Sequence, residues 1–177
     1  MRTIPTIRTA QLTLRAMRPQ DFDRYAQIWT GGCAPRAGHA RARQSDAVWE
    51  AFLLNAGHWH MTGFGHWAVE PHGTPRMMGQ VGFFLGRDRV DEDADPCPEA
   101  AWLLHPEANG MGLGQDAAQA AHDWFDRVIT GPLMCKIDVD NPRSQQIARA
   151  LGYAPTREMS RNGRAFQVMS RRSPPAP

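Results

Sequence analysis

Three glycines at alternate positions, Gly110, Gly112 and Gly114, stand where an apolar run gives way to a helical periodicity. Glycine lets the backbone turn sharply and approach a ligand. A helix N-terminus presents free N–H groups at the positive end of its dipole. Together they suit an anion, above all a pyrophosphate. A plain strand-to-helix connection that contains glycine is one alternative. A dinucleotide site is another. Gly112-Leu113-Gly114-Gln115-Asp116-Ala117 satisfies G-x-G-x-x-A, and Asp138 follows about 20 residues on, where such a fold places its ribose-binding acid. Two features weigh against it. His105 to Asn109 separate the apolar run from the first glycine, whereas the dinucleotide turn follows its strand directly. Only about 40 residues remain after Asp138, too few to complete a doubly wound sheet. A Walker loop is excluded because no Gly-Lys-Ser/Thr follows.

The elements that must position this turn are legible from periodicity. Leu12-Thr13-Leu14-Arg15 alternates as a strand does. Pro19 opens a helix carrying Phe22, Tyr25, Ile28 and Trp29, and residues 30–43 read as a loop or broken helix. A second helix is expected from Ser45, as its cap, to Met61. Strands follow around Trp67 and Val69, from Met77 to Leu85, and from Glu99 to Leu104, with an acidic loop at 89–98. Leu113, Ala117, Ala120, Ala121, Trp124 and Val128 step by three and four, which marks an amphipathic helix stopped at Gly131-Pro132. A strand over Leu133 to Val139 and a short helix from Asn141-Pro142 to Gly152 come next. A hairpin turning at Asn162-Gly163 closes the chain. The order is β-α-α-β-β-β-α-β-α-β-β: a mixed sheet with helices on both faces.

The length of 177 residues fits one domain, over residues 1–171, with a flexible tail at 172–177. The net charge of +2 is small and the basic residues are scattered, so nucleic acid is not the expected partner. The N-terminus lacks the apolar region of a signal peptide, and no long apolar run spans a membrane. Cys33, Cys97 and Cys135 are far apart and odd in number, which points to reduced thiols in a cytoplasmic protein rather than a disulfide framework or a zinc site. No His/Asp/Glu set has metal-ligand spacing.

Trp102-Leu103-Leu104-His105-Pro106-Glu107, followed by Gly110 to Ala117, resembles the signature strand–turn–helix of the GNAT acetyltransferases, in particular the subgroup that acetylates ribosomal-protein N-termini and its relatives. Further stretches agree in order: Gln11 to Arg15, Gly57-His58-Trp59 with Gly65 to Val69, Gly79-Gln80-Val81-Gly82, and Val139 to Ser144 with Leu151-Gly152-Tyr153. The resemblance covers about residues 7 to 171. The chain departs from the pattern at Glu107, where the family has Gln or Arg, and at Asn109 and Gly114-Gln115-Asp116.

The resemblance implies an α+β acyl-CoA N-acyltransferase fold and acetyl-CoA as cosubstrate, with no metal. It implies direct attack on the thioester by an amine, either of a small molecule or of a peptide or protein N-terminus. Monomer and homodimer both stay open. On this reading Leu103, Leu104 and His105 lie beside the thioester with one backbone N–H as oxyanion donor. Asn109, Gly110, Met111, Gly112, Leu113 and Gly114 hold the pyrophosphate, and Asn141 bonds the pantetheine. Ser144 either protonates the leaving thiolate or is satisfied within its own helix turn. Glu99 is the first candidate for general base, with His105 and His66 behind it. The tyrosine that many members use as acid is replaced by Ala148, while Tyr153 falls at a packing position. Arg36, His39, Arg41 and Arg43 border the acceptor pocket or are solvated loop charges. A non-catalytic CoA-binding module of the same fold is the main alternative, and a dinucleotide binder the lesser one.

Overall fold

The structure is a computed structural model and describes residues 3–30, 45–86, 97–161 and 163–172. Residues 1–2, 31–44 with Cys33, Arg36, His39, Arg41 and Arg43, most of the expected acidic loop, Asn162, the side chains of Thr30 and Ser45 and residues 173–177 lie outside the described residues.

Eight strands form one sheet: β1 (Ile7–Arg8), β2 (Leu12–Arg15), β3 (His66–Pro71), β4 (Gly79–Phe84), β5 (Glu99–Leu104), β6 (Leu133–Asp138), β7 (Ala154–Arg161) and β8 (Arg164–Arg171). The spatial order is β1-β2-β3-β4-β5-β6-β8-β7. Every neighbouring pair is antiparallel except β5 and β6. Helices α1 (Phe22–Thr30), α2 (Ser45–Thr62), α3 (Leu113–Val128) and α4 (Pro142–Ala150) complete the fold. The expected order holds, with β1 added as a short hairpin partner of β2. Pro19 starts a single 3₁₀ turn, Pro19–Asp21, that leads into α1 rather than starting α1 itself.

Strand alternation sorts the core into two layers. Leu12, Leu14, Trp67, Val69, Val81, Phe83 and Ala100 face α3, whose Leu113, Ala117, Ala118, Ala121, Trp124 and Phe125 meet them. Trp67 stands edge-on to both Trp59 and Trp124, with ring centroids 4.8 and 5.1 Å away. Burying each such side chain is worth roughly 1.5–3 kcal/mol. The opposite face carries Ala68 and Leu103 against Tyr25 and Ile28 of α1 and Val48 and Phe52 of α2. This α1/α2 face also holds Arg15, which is 5% exposed and donates to both oxygens of Asp21 and to Glu70.

The mixed sheet removes the dinucleotide alternative, because a doubly wound fold needs a run of parallel strands. Asp138 is not available to a ribose either. It is buried, pairs with Arg164 and accepts the Asp140 N–H at 2.9 Å. Cys97 and Cys135 are free thiols. Among the described residues no helix is long and apolar enough to cross a membrane.

Candidate active site

The site begins where β5 and β6 part. Their parallel pairing consists of one register pair among the described residues, Glu99 with Met134, reinforced by the Met134 N–H donating to Pro98 O at 3.0 Å. Beyond that vertex β5 stays paired only to β4. The His105 N–H donates to Met78 O at 2.7 Å. Hydrogen-bonded and non-hydrogen-bonded pairs alternate along an antiparallel ladder, so Leu103 and Ala101 also turn their backbone groups toward β4. Trp102 and Leu104 turn theirs the other way, into the opening that β6 has left.

The opening is a groove of 420 Å³ lined by Trp102, Leu103 and Leu104, the turn residues Asn109, Gly110, Gly112, Gly114 and Gln115, and Asn141 with Arg143, Ser144, Gln146 and Ile147 of α4. The turn forms one wall because its backbone is left-handed at two points, Gly110 (φ 80°) and Gly112 (φ 73°). A Cβ at either would meet nothing within 4 Å. Backbone conformation and not crowding therefore requires glycine there. Gly112 is the N-cap of α3 and no side chain caps the helix. The first-turn N–H groups of α3 are thus offered to the groove at the positive end of the helix dipole.

Helix α4 forms the facing wall. Pro142 occupies its first turn, and Asn141 Oδ1 accepts the Ser144 N–H at 3.0 Å as N-cap. With its backbone satisfied in this way, Ser144 turns its hydroxyl across the opening and accepts the Trp102 Nε1–H at 3.3 Å. Glu99, at the vertex, accepts from Lys136 Nζ at 2.8 Å through one carboxylate oxygen, and its side chain is 35% exposed.

The structure brings together Leu103, Leu104, Asn109, Gly110, Gly112, Gly114, Asn141 and Ser144 around one groove. Five other expected residues stand off its walls. Leu113 points into the core at 3% exposure, and Met111 points outward at 56%. His105 uses its backbone N–H on Met78 and accepts the Glu107 N–H on Nδ1. Burial, and then the Arg24 charge, push its pKa down. Glu107 is itself held between Arg24 and Arg76, each at 2.7 Å, and the Arg24 hydrogen bond leads in lowering its pKa. Glu99 lies at the vertex, paired to Lys136. His66 is on β3, away from the groove lining. Tyr153 packs as expected: it is buried, and its hydroxyl donates to His122 Nε2 at 2.9 Å.

Sequence reasoning missed four partners. The Trp102 indole was visible within the signature strand but had no assigned role. Lys136 carries no motif, since its pairing with Glu99 spans 37 residues. Arg143 and Gln146 flank Ser144 on α4, and helical spacing from Pro142 was the signal that could have placed them at the groove.

Comparison with known proteins agrees with this geometry. The sequence profile of the acetyltransferase (GNAT) domain matches residues 11–154. A GNAT-family acetyltransferase structure from Bordetella pertussis superposes with a TM-score of 0.82 at 24% identity, over 95% of this chain and 99% of that one. The structure of yncA from Salmonella typhimurium with its cofactor acetyl-CoA gives 0.71 at 19% identity, over 91% and 93%. The ribosomal-protein-S5-alanine acetyltransferase from Vibrio fischeri gives 0.73 at 16% identity, over 96% and 97%. These likenesses establish the fold, and the profile match over most of the chain establishes that the protein belongs to the GNAT acetyltransferase family.

Proposed function

We propose that the protein transfers an acetyl group from acetyl-CoA directly to a primary amine, of a small molecule or of a peptide or protein N-terminus. The observation that carries this reading is the single-pair contact between β5 and β6, which opens a strand-wide groove ending on an uncapped helix N-terminus. An extended amide-bearing arm joined to a pyrophosphate fits that shape. Trp102 and Leu104 offer it backbone hydrogen bonds as a neighbouring strand would, and the α3 first turn takes the phosphates. Arg143, in the groove lining, adds positive charge. Acetyl-CoA supplies an acyl group already activated as a thioester.

The chain's own groups then have separate tasks. The Trp102 N–H is the first one past the vertex that β4 does not use, so it donates to the carbonyl oxygen as negative charge develops there. The Ser144 hydroxyl, oriented by the Trp102 indole, delivers a proton to the departing sulfur. Glu99 Oε2 is bound to Lys136, but a carboxylate has two oxygens. The second is available to take the amine proton through water.

Release of free thiol from acetyl-CoA, measured with peptides bearing free N-termini and with small primary amines, tests the reading. Turnover with at least one class, and a rise in melting temperature on adding CoA, are expected. The absence of both thiol release and a CoA-dependent shift would overturn it.

A further inference from the structure

Gly79 opens β4 and has no task in the reaction above. Its backbone is not left-handed, so conformation does not call for glycine there. Space does. A Cβ at Gly79 would stand 2.6 Å from Leu103 O, 2.8 Å from Leu104 Cγ and 2.9 Å from Leu104 Cα. Carbon atoms in good contact are about 3.5 Å apart or more. Two of these three neighbours are backbone atoms of β5, and the third is the branch point of a side chain that lines the groove. Gly79 and Leu104 stand directly opposite each other in register. The neighbouring bond from His105 N–H to Met78 O makes theirs the closer, non-hydrogen-bonded kind of pair.

The Leu104 side chain fills the place that Gly79 leaves empty and reaches from there to α3. Its Cδ1 lies 3.7 Å from where a Cβ on Gly114 would stand, and Ile147 Cδ1 of α4 lies 3.9 Å from the same point. Leu104 is thereby held between two glycines, one on β4 and one in the first turn of α3. Gly114 carries one of the N–H groups that the start of α3 leaves without a partner inside the helix. Beyond Glu99 the described part of β5 pairs with β4 alone, so no strand on the groove side holds it in place. Its position is set from the β4 side, and through Leu104 so is the position of the α3 turn.

We infer that the Leu104 side chain, seated over Gly79, is the spacer that sets how far the first turn of α3 stands from the sheet, and that Gly79 is a positioning residue for the anion grip. This rests on the proposed use of acetyl-CoA and names the part of the fold that fixes the depth of its site. A methyl group at Gly79 displaces Leu104 outward, toward Gly114 and the groove. Ladder bonds such as that from His105 N–H to Met78 O at 2.7 Å keep the two strands together, so the strain passes along the side chain to the turn. Hydrogen bonds from the turn to phosphate oxygens depend on distance and angle, and a displaced turn meets neither.

The test is calorimetry on the full-length protein with two probes, CoA and 3′-phospho-ADP, which is CoA without its arm. Gly79→Ala is expected to bind both about ten-fold or more weakly than wild type, as loss of a hydrogen bond to a charged group does. Leu104→Ala removes the spacer and leaves Gly79 as it is, and it too should lose affinity for both probes. Gly65→Ala is the control. Its methyl would meet the Trp59 indole at 2.5 Å, and neither residue lines the groove. It should lower the melting temperature and bind both probes as wild type does. A folded Gly79→Ala protein that binds 3′-phospho-ADP as wild type does overturns the inference. So does a Leu104→Ala protein that loses affinity for CoA alone, since Leu104 would then only touch the arm. An equal loss of binding in Gly65→Ala overturns it as well, the effect being one of general stability. If Gly79→Ala does not fold, the two probes on Leu104→Ala decide. A wild type that binds CoA but releases no thiol from acetyl-CoA overturns the transfer reading, and the variants still decide the spacer. A wild type that binds neither probe overturns both.

Discussion

The Trp102 indole N–H donates to the Ser144 hydroxyl at 3.3 Å, bridging the gap between β5 and α4 that the divergence of β6 creates. The two side chains come from elements 42 residues apart, and the bond fixes the direction of the Ser144 lone pairs and proton. This pairing makes Ser144 part of the groove and not only a first-turn residue of α4.

Removing either partner separates structure from chemistry. Trp102→Phe keeps most of the packing and loses the bond, which should cost about 0.5–1.5 kcal/mol by chemical denaturation. Ser144→Ala should leave acetyl-CoA affinity unchanged and lower kcat by about ten-fold. The loss stays modest because a thiol of pKa about 8.5 departs tolerably as thiolate. An unaltered kcat, measured by thiol release, would remove the acid role from Ser144.

The signature glycines should respond in opposite senses. Gly112→Ala forces a left-handed residue to carry a Cβ at φ 73° and should destabilise by about 1–2 kcal/mol. Gly114 lies inside α3, and a Cβ there would sit 3.7 Å from Leu104 Cδ1 in ordinary contact. Gly114→Ala should therefore gain up to about 1 kcal/mol of stability from helix propensity. It should lose acetyl-CoA affinity, because the new methyl projects at the groove wall. Denaturation and calorimetry on the same two variants read both effects.

Glu99→Gln should lower kcat by about 10²-fold or more if its free oxygen takes the amine proton, as general bases usually contribute. Lys136→Met removes a partner at 2.8 Å whose side chain is 21% exposed. Pairs still open to solvent are worth about 0–1 kcal/mol, so stability should change by no more than about that. Equal kcat for Glu99→Gln and wild type at saturating acceptor would dismiss Glu99 as base.

Stability should fall with acidification from pH 6.5 downward. Burial pushes His122 down to about 3 and His66 to about 4, from an ordinary 6.5. Unfolded histidines take up protons near 6.5 that the folded ones refuse. Folding stability is thus complete above that pH and is lost as pH drops toward the folded values. The slope should approach about 1.4 kcal/mol per pH unit for each ring. His122 is enclosed by Ala118 O and the Tyr153 hydroxyl, so His122→Gln should flatten part of that slope. Urea denaturation at pH 7, 6 and 5 measures it, and a slope unchanged by the substitution would exclude His122 as its source.

Local rules made most of the frame readable from the chain alone. Apolar steps of three and four marked α3, alternation marked β2, Pro142 began α4, and spaced glycines marked the turn between a strand and a helix. Each depends on residues within a few positions of one another, where backbone preference and side-chain direction are set locally. Tertiary structure decided what depends on distant partners. The antiparallel register of β5 against β4 determines that Trp102 and Leu104, and not Leu103 or His105, turn their backbone groups into the groove that β6 leaves open. Lys136 engages Glu99, the Trp102 indole meets Ser144, and Leu104 lies over Gly79, only because the sheet order sets these strands side by side. Hydrogen bonds and ion pairs act over about 3 Å of space whatever the separation in sequence, so no spacing rule along the chain could have announced them.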